Sequence, residues 1–65
     1  MRGKVKMFNQ EKGYGFITLE DGKDVFFHYS QLMMEGFKTI DADAKVEFEL
    51  VETERGLQAH NIVKL

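Results

Sequence analysis

The chain has 65 residues, no cysteine and a formal net charge of −2, and a domain this short buries only about 60% of the surface its unfolded chain exposes, so its core is thin. Without cysteine there is no disulfide framework and no thiolate metal site, which fits a reducing cytoplasm and equally fits other compartments. The opening MRGKVKMFN lacks the apolar run of a secretory signal and no stretch approaches the about 20 apolar residues of a membrane span, so a single cytoplasmic domain over residues 1–65 is expected, with no membrane contact.

In chain order, turn signals at Asn9–Gly13, Glu20–Lys23, Glu35-Gly36 and Thr53–Gly56 separate short segments of strand character. Residues 2–9 carry Val5, Met7 and Phe8; residues 14–19 read YGFITL; residues 24–29 read DVFFHY. Residues 30–44 do not alternate and read as a long connection with one helical turn around Ser30 to Met33. KVEFELVE, residues 45–52, alternates cleanly, with Val46, Phe48 and Leu50 on one face and Lys45, Glu47 and Glu49 on the other. Residues 57–64, LQAHNIVK, complete five strands. Five short strands with one long connection predict an all-β fold, a small antiparallel barrel in which few edges are left exposed.

Charge is unevenly spread. Residues 1–19 carry a balance of +3 from Arg2, Lys4, Lys6 and Lys12 against Glu11, whereas residues 41–54 carry −5. The acidic fourth strand reads as a solvated face that repels nucleic acid and so orients the opposite side toward it.

KGYGFI, residues 12–17, places Tyr14 and Phe16 two positions apart, hence on one side of a strand. The alternate set, Gly15, Ile17 and Leu19, holds the aliphatics and should face inward. In DVFFHY the inward set should be Val25, Phe27 and Tyr29, because burying Asp24, His28 and Ser30 together without partners is costly. Tyr14, Phe16, Phe26 and His28 therefore point to solvent from two neighbouring strands. Rings outside a core that needs apolar mass, with lysines beside them, match what unpaired bases require: flat faces to stack on and cations for phosphates. A protein-binding module using the same face as a peptide groove is the alternative, and salt separates the two, since strand binding weakens with a slope of about −0.7 per phosphate neutralised.

Other chemistries fit poorly. Asp24 and His28 share a strand face with Ser30 but lie about 13 Å apart at roughly 3.3 Å per residue, too far for a triad, which needs about 2.6–3.2 Å; the chain does not read as an enzyme. Two distant histidines offer no metal-ligand spacing, and Gly13-Tyr14-Gly15 lacks the further glycine or Gly-Lys-Ser/Thr of a nucleotide loop, so neither a cofactor nor a small-molecule substrate is expected. The glycines are read as letting bases or a neighbouring strand approach closely.

Taken together, KGYGFI and DVFFHY resemble the first and second ribonucleoprotein motifs of the bacterial cold-shock proteins. KVKMFN (4–9), EGFKT (35–39) and the ERG.QA stretch around Arg55 to Ala59 extend the resemblance from about residue 2 to the C-terminus. It implies a five-stranded OB-type barrel that binds single-stranded RNA and DNA with little sequence selectivity, as an RNA chaperone and regulator of transcription or translation in the cold response; a monomer is expected. Carried over residue by residue, it implies a stacking platform of Tyr14, Phe16, Phe26 and His28, extended by Tyr29 and Phe37. Lys6, Lys12 and Arg55 would approach backbone or bases, and Asp24 would make a polar base contact. Met7 stands where the family usually has a stacking tryptophan, which implies weaker binding than in a tryptophan-bearing relative. Lys6 and Met7 can share the binding side only if the first strand bulges or twists strongly. Further departures are Phe27 for a smaller valine, which should enlarge the core, Met34, Leu57 in place of proline, and His60 where a small residue is common.

Overall fold

The structure, a computed structural model, describes residues 1–34 and 39–65. Its strands are β1 (Arg2–Asn9), β2 (Tyr14–Leu19), β3 (Asp24–His28), β4 (Lys45–Thr53) and β5 (Gly56–Lys64), with one 3₁₀ turn at Tyr29–Gln31. They close into a barrel in the order β1-β2-β3-β5-β4. The expected OB-type barrel is present, with one difference from a wholly antiparallel sheet: β3 and β5 meet in parallel, while the other four pairings are antiparallel. Closure leaves no free sheet edge on these strands, which suits a chain too short to cover one.

Alternation decides which side chains enter the barrel. Val5, Ile17, Val25, Phe27, Val46, Phe48, Ala59 and Ile62 form the core with Leu32 and Ile40 from the long connection. Tyr29 departs from the inward set read from DVFFHY. The strand ends one residue earlier, at His28, and Tyr29 opens the 3₁₀ turn with its ring 44% exposed. His28 itself starts that turn: its Nδ1 accepts the Ser30 N–H at 3.2 Å, satisfying a donor that the short turn leaves free. Leu32, just past the turn, is buried and bridges to Ile62.

Two irregularities break the period of two. On β1, Val5 pairs with Ile17 and Met7 with Phe16, so Lys6 is an extra residue with no partner on β2. This bulge sends Val5 inward and Met7 outward although they are two apart, and brings Phe8 inward against Phe27. On β5, Glu47 pairs with Val63 and Glu49 with His60. Asn61 there takes φ of 52°, a left-handed conformation that asparagine tolerates better than most side chains. Ala59 and Ile62, three apart, are both buried as a result.

Phe27 does enlarge the core. Its ring lies nearly parallel to Phe8 at 5.8 Å and 11°, and fully burying such a ring contributes about 1.5–3 kcal/mol. Room for it comes from Gly15, where a Cβ would stand 2.6 Å from Phe27 Cζ and 2.5 Å from the Met7 carbonyl oxygen. The second glycine of KGYGFI thus admits a core ring and the neighbouring strand's backbone. Gly15→Ala is expected to destabilise the barrel by about 1–3 kcal/mol, read as a lower urea midpoint; an unchanged midpoint would mean that Phe27 has space to spare.

Candidate nucleic-acid interface

Strand register assembles the outward residues into rows across the barrel. The central row runs Met7, Phe16, Phe26 and Gln58 over β1, β2, β3 and β5. On one side of it lie Asn9, Tyr14 and His28; on the other, Lys4, Thr18 and Asp24. Each pair faces outward because its ladder neighbours, Ile17 and Val25 or Gly15 and Phe27, face inward.

Three rings form the centre. Tyr14 and Phe26 are nearly parallel at 6.0 Å and 21°. Phe16 stands edge-on to both, at 6.1 Å and 88° from Tyr14 and 5.9 Å and 73° from Phe26. Such offset and edge-to-face pairs are worth about 0.5–1.5 kcal/mol each beyond buried area, so the rings hold one another in place while remaining only half-buried. His28 and Tyr29 make a second pair, centroids 4.6 Å apart. Tyr29 rests over Gly13, where a Cβ would meet its ring at 2.7 Å and where φ is +76°. Its N–H donates to the Gly13 carbonyl at 2.8 Å, so the first glycine of KGYGFI seats Tyr29 as the second seats Phe27.

Polar groups flank the rings. The bulge projects Lys6 to solvent, where its Nζ donates to Asp24 Oδ2 at 2.7 Å. Thr18 Oγ1 donates to Asp24 Oδ1 at 3.0 Å. The Lys6 hydrogen bond first, and that of Thr18 second, hold the Asp24 carboxyl below the usual aspartate range. Both partners are largely exposed, so the pair orients the two side chains more than it stabilises the fold. Asp24 is bonded to Lys6 and Thr18, whereas His28 Nδ1 contacts Ser30 Oγ at 2.9 Å, so Asp24 and His28 are not paired as a triad needs.

The structure thus brings together Lys6, Met7, Tyr14, Phe16, Asp24, Phe26, His28 and Tyr29 on one face. Lys12 is exposed in the turn before Tyr14, its N–H bound to Asn9 Oδ1 at 3.0 Å. Arg55 is exposed in the loop between β4 and β5, ahead of Gln58. Phe37 lies outside the described residues. The YGFITL alternation turns Thr18 outward with Tyr14 and Phe16 but gives no sign that it bonds Asp24, and Gln58, whose outward direction is signalled by the alternation around Ala59, was missed in the sequence. Among the described residues no group of three His, Asp or Glu side chains could hold a metal ion, and no helix is long and apolar enough to cross a membrane.

A small closed five-stranded barrel that carries an outward strip of aromatic rings beside exposed lysines is an OB-type barrel. The chain matches the model of the 'Cold-shock' DNA-binding domain over residues 1–65 and belongs to that family, one of nucleic-acid-binding proteins rather than enzymes. It is 58% identical over 64 residues to cold shock protein CspB of Bacillus caldolyticus, covering 98% of this chain and 97% of that one. With the cold shock-like protein CspC of Bacillus cereus it shares 52% identity over the full length of both. A solved structure of Drosophila Unr, CSD456, superposes with a TM-score of 0.76 at 26% identity, covering 98% of this chain and 26% of that one.

The Asp24 contacts set a pH dependence. Because folding lowers this pKa, the associated stability is fully present above the unfolded-state value of about 3.9 and is lost as pH falls through the folded-state value. Asp24→Asn should therefore flatten the acid limb of a plot of unfolding midpoint against pH. Parallel acid limbs for the two proteins would show that Asp24 is not engaged in solution.

Proposed function

We propose that this protein binds single-stranded RNA and DNA by stacking unpaired bases on Tyr14, Phe16 and Phe26, with His28, Tyr29 and Phe37 extending the platform and Met7 offering a thioether in place of a further ring. Lys6, Lys12 and Arg55 neutralise phosphates or reach base edges, and Asp24 accepts from a base. The observation that carries this reading is the outward cluster of three mutually packed rings on a chain that has little apolar mass to spare from its core.

Stacking contributes about 1–3 kcal/mol per base, and π-faces are common to all bases, so selectivity is low. The acidic side chains Glu47, Glu49, Glu52 and Glu54 all lie exposed at β4 and the loop after it, away from β2 and β3 in the barrel order, and turn the platform toward a polyanion. Ligand that binds only unpaired strands shifts RNA from folded to open forms by mass action. That linkage is sufficient for an RNA-chaperone role, and for regulation of transcription or translation in the cold, without a nucleotide-hydrolysis site. The protein acts in the cytoplasm as a monomer.

Fluorescence anisotropy with end-labelled heptathymidine and a duplex of equal length tests this. The single strand should bind, more weakly as salt rises, and the duplex should bind little. Phe16→Ala should lose about 1–3 kcal/mol of that binding, and Met7→Trp should tighten it. Binding indifferent to salt, or no binding of the single strand, would favour a protein partner for the aromatic face.

A further inference from the structure

Beside the platform, on the row that holds Thr18 and Asp24, β1 and β4 form a second feature that the stacking reading does not use. Lys4 pairs with Thr18 on one side and with Lys45 on the other. Like charges directly opposite one another on a sheet are unfavourable, and among the described residues the only ion pair is Lys6–Asp24, so neither lysine is neutralised by a salt bridge. Both line a cavity of about 320 Å³ together with Arg2, Leu19, Leu65 and Glu20. Its size falls within the range of ligand clefts, about 300–1,000 Å³. Its lining holds three cationic side chains, Arg2, Lys4 and Lys45, and one acidic side chain, Glu20, alongside Leu19 and the terminal residue Leu65.

We infer that this cavity is a phosphate subsite for a single strand running off the platform, with Lys4 and Lys45 clamping a backbone phosphate and Leu19 and Leu65 supporting the attached sugar. The inference rests on the stacking function proposed above. Continuity favours it: Lys4 lies only two ladder positions along from the Met7–Phe16–Phe26 row, about 7 Å at strand spacing, and Thr18 joins the two. A phosphate placed there removes the Lys4–Lys45 repulsion, which gives the otherwise unfavourable cross-strand pair a role. A neighbouring cavity shares Arg2, Leu19 and Glu20 with it and adds Met1 and Asp21.

Pentathymidine and undecathymidine, titrated at several salt concentrations against wild type and the double variant Lys4→Gln/Lys45→Gln, test the inference. Both side chains are exposed, so the variant keeps its fold, and circular dichroism checks this. Wild type should show a steeper salt slope with undecathymidine than with pentathymidine. The variant should lose about 0.7 of that slope for each phosphate no longer neutralised, with pentathymidine binding unchanged; Lys45→Glu should weaken the longer strand further. Equal slopes for variant and wild type on undecathymidine would overturn the subsite. An equal drop on both lengths would also overturn it, in favour of a general field effect. If wild type bound neither strand, the stacking function would fail and the subsite with it.

Discussion

The face of this barrel depends on one unpaired residue in β1. Without the bulge at Lys6, Val5 and Met7 would share a side: either Met7 would enter the core or Val5 would leave it. With it, Val5 closes the core against Ile17, Met7 joins the row of Phe16 and Phe26, and Phe8 turns inward onto Phe27. The residue set aside is a lysine, which reaches Asp24 across β2. One local irregularity thus supplies both an apolar contact and a cation to the same surface.

The two glycines of KGYGFI serve the arrangement from opposite sides. Gly15 faces inward and makes room for Phe27; Gly13 takes a left-handed conformation and receives Tyr29. Between and beyond them Tyr14 and Phe16 face out. The motif therefore leaves aromatic rings accessible on the surface while the core beneath is filled from β3 and β1.

Much of this was legible because the strands alternate. YGFITL and KVEFELVE have apolar and polar positions that separate by parity, and the outward direction of Tyr14, Phe16, Phe26 and His28 follows from where Ile17, Val25, Val46 and Phe48 must go. Parity failed where backbone geometry departs from a period of two. Val5, Met7 and Phe8 carry no alternation to locate a bulge, Tyr29 leaves the strand because His28 caps a turn, and Asn61 shifts β5 by a left-handed residue. The parallel meeting of β3 and β5, which puts Gln58 beside Phe26, is a contact between distant segments and has no local signal. Leu32 and Ile40 complete the core from a connection whose sequence has no strand periodicity.

The central claim is that one face, spanning β1 to β3, receives unpaired bases while the acidic side does not. The most direct test follows backbone amide resonances of the isotope-labelled protein during titration with heptathymidine. The account predicts shifts concentrated at Lys6, Met7, Tyr14, Phe16, Phe26 and His28, with Glu47 to Glu54 unmoved. Shifts centred on β4, or none at concentrations where the strand binds a known single-strand-binding protein, would contradict it.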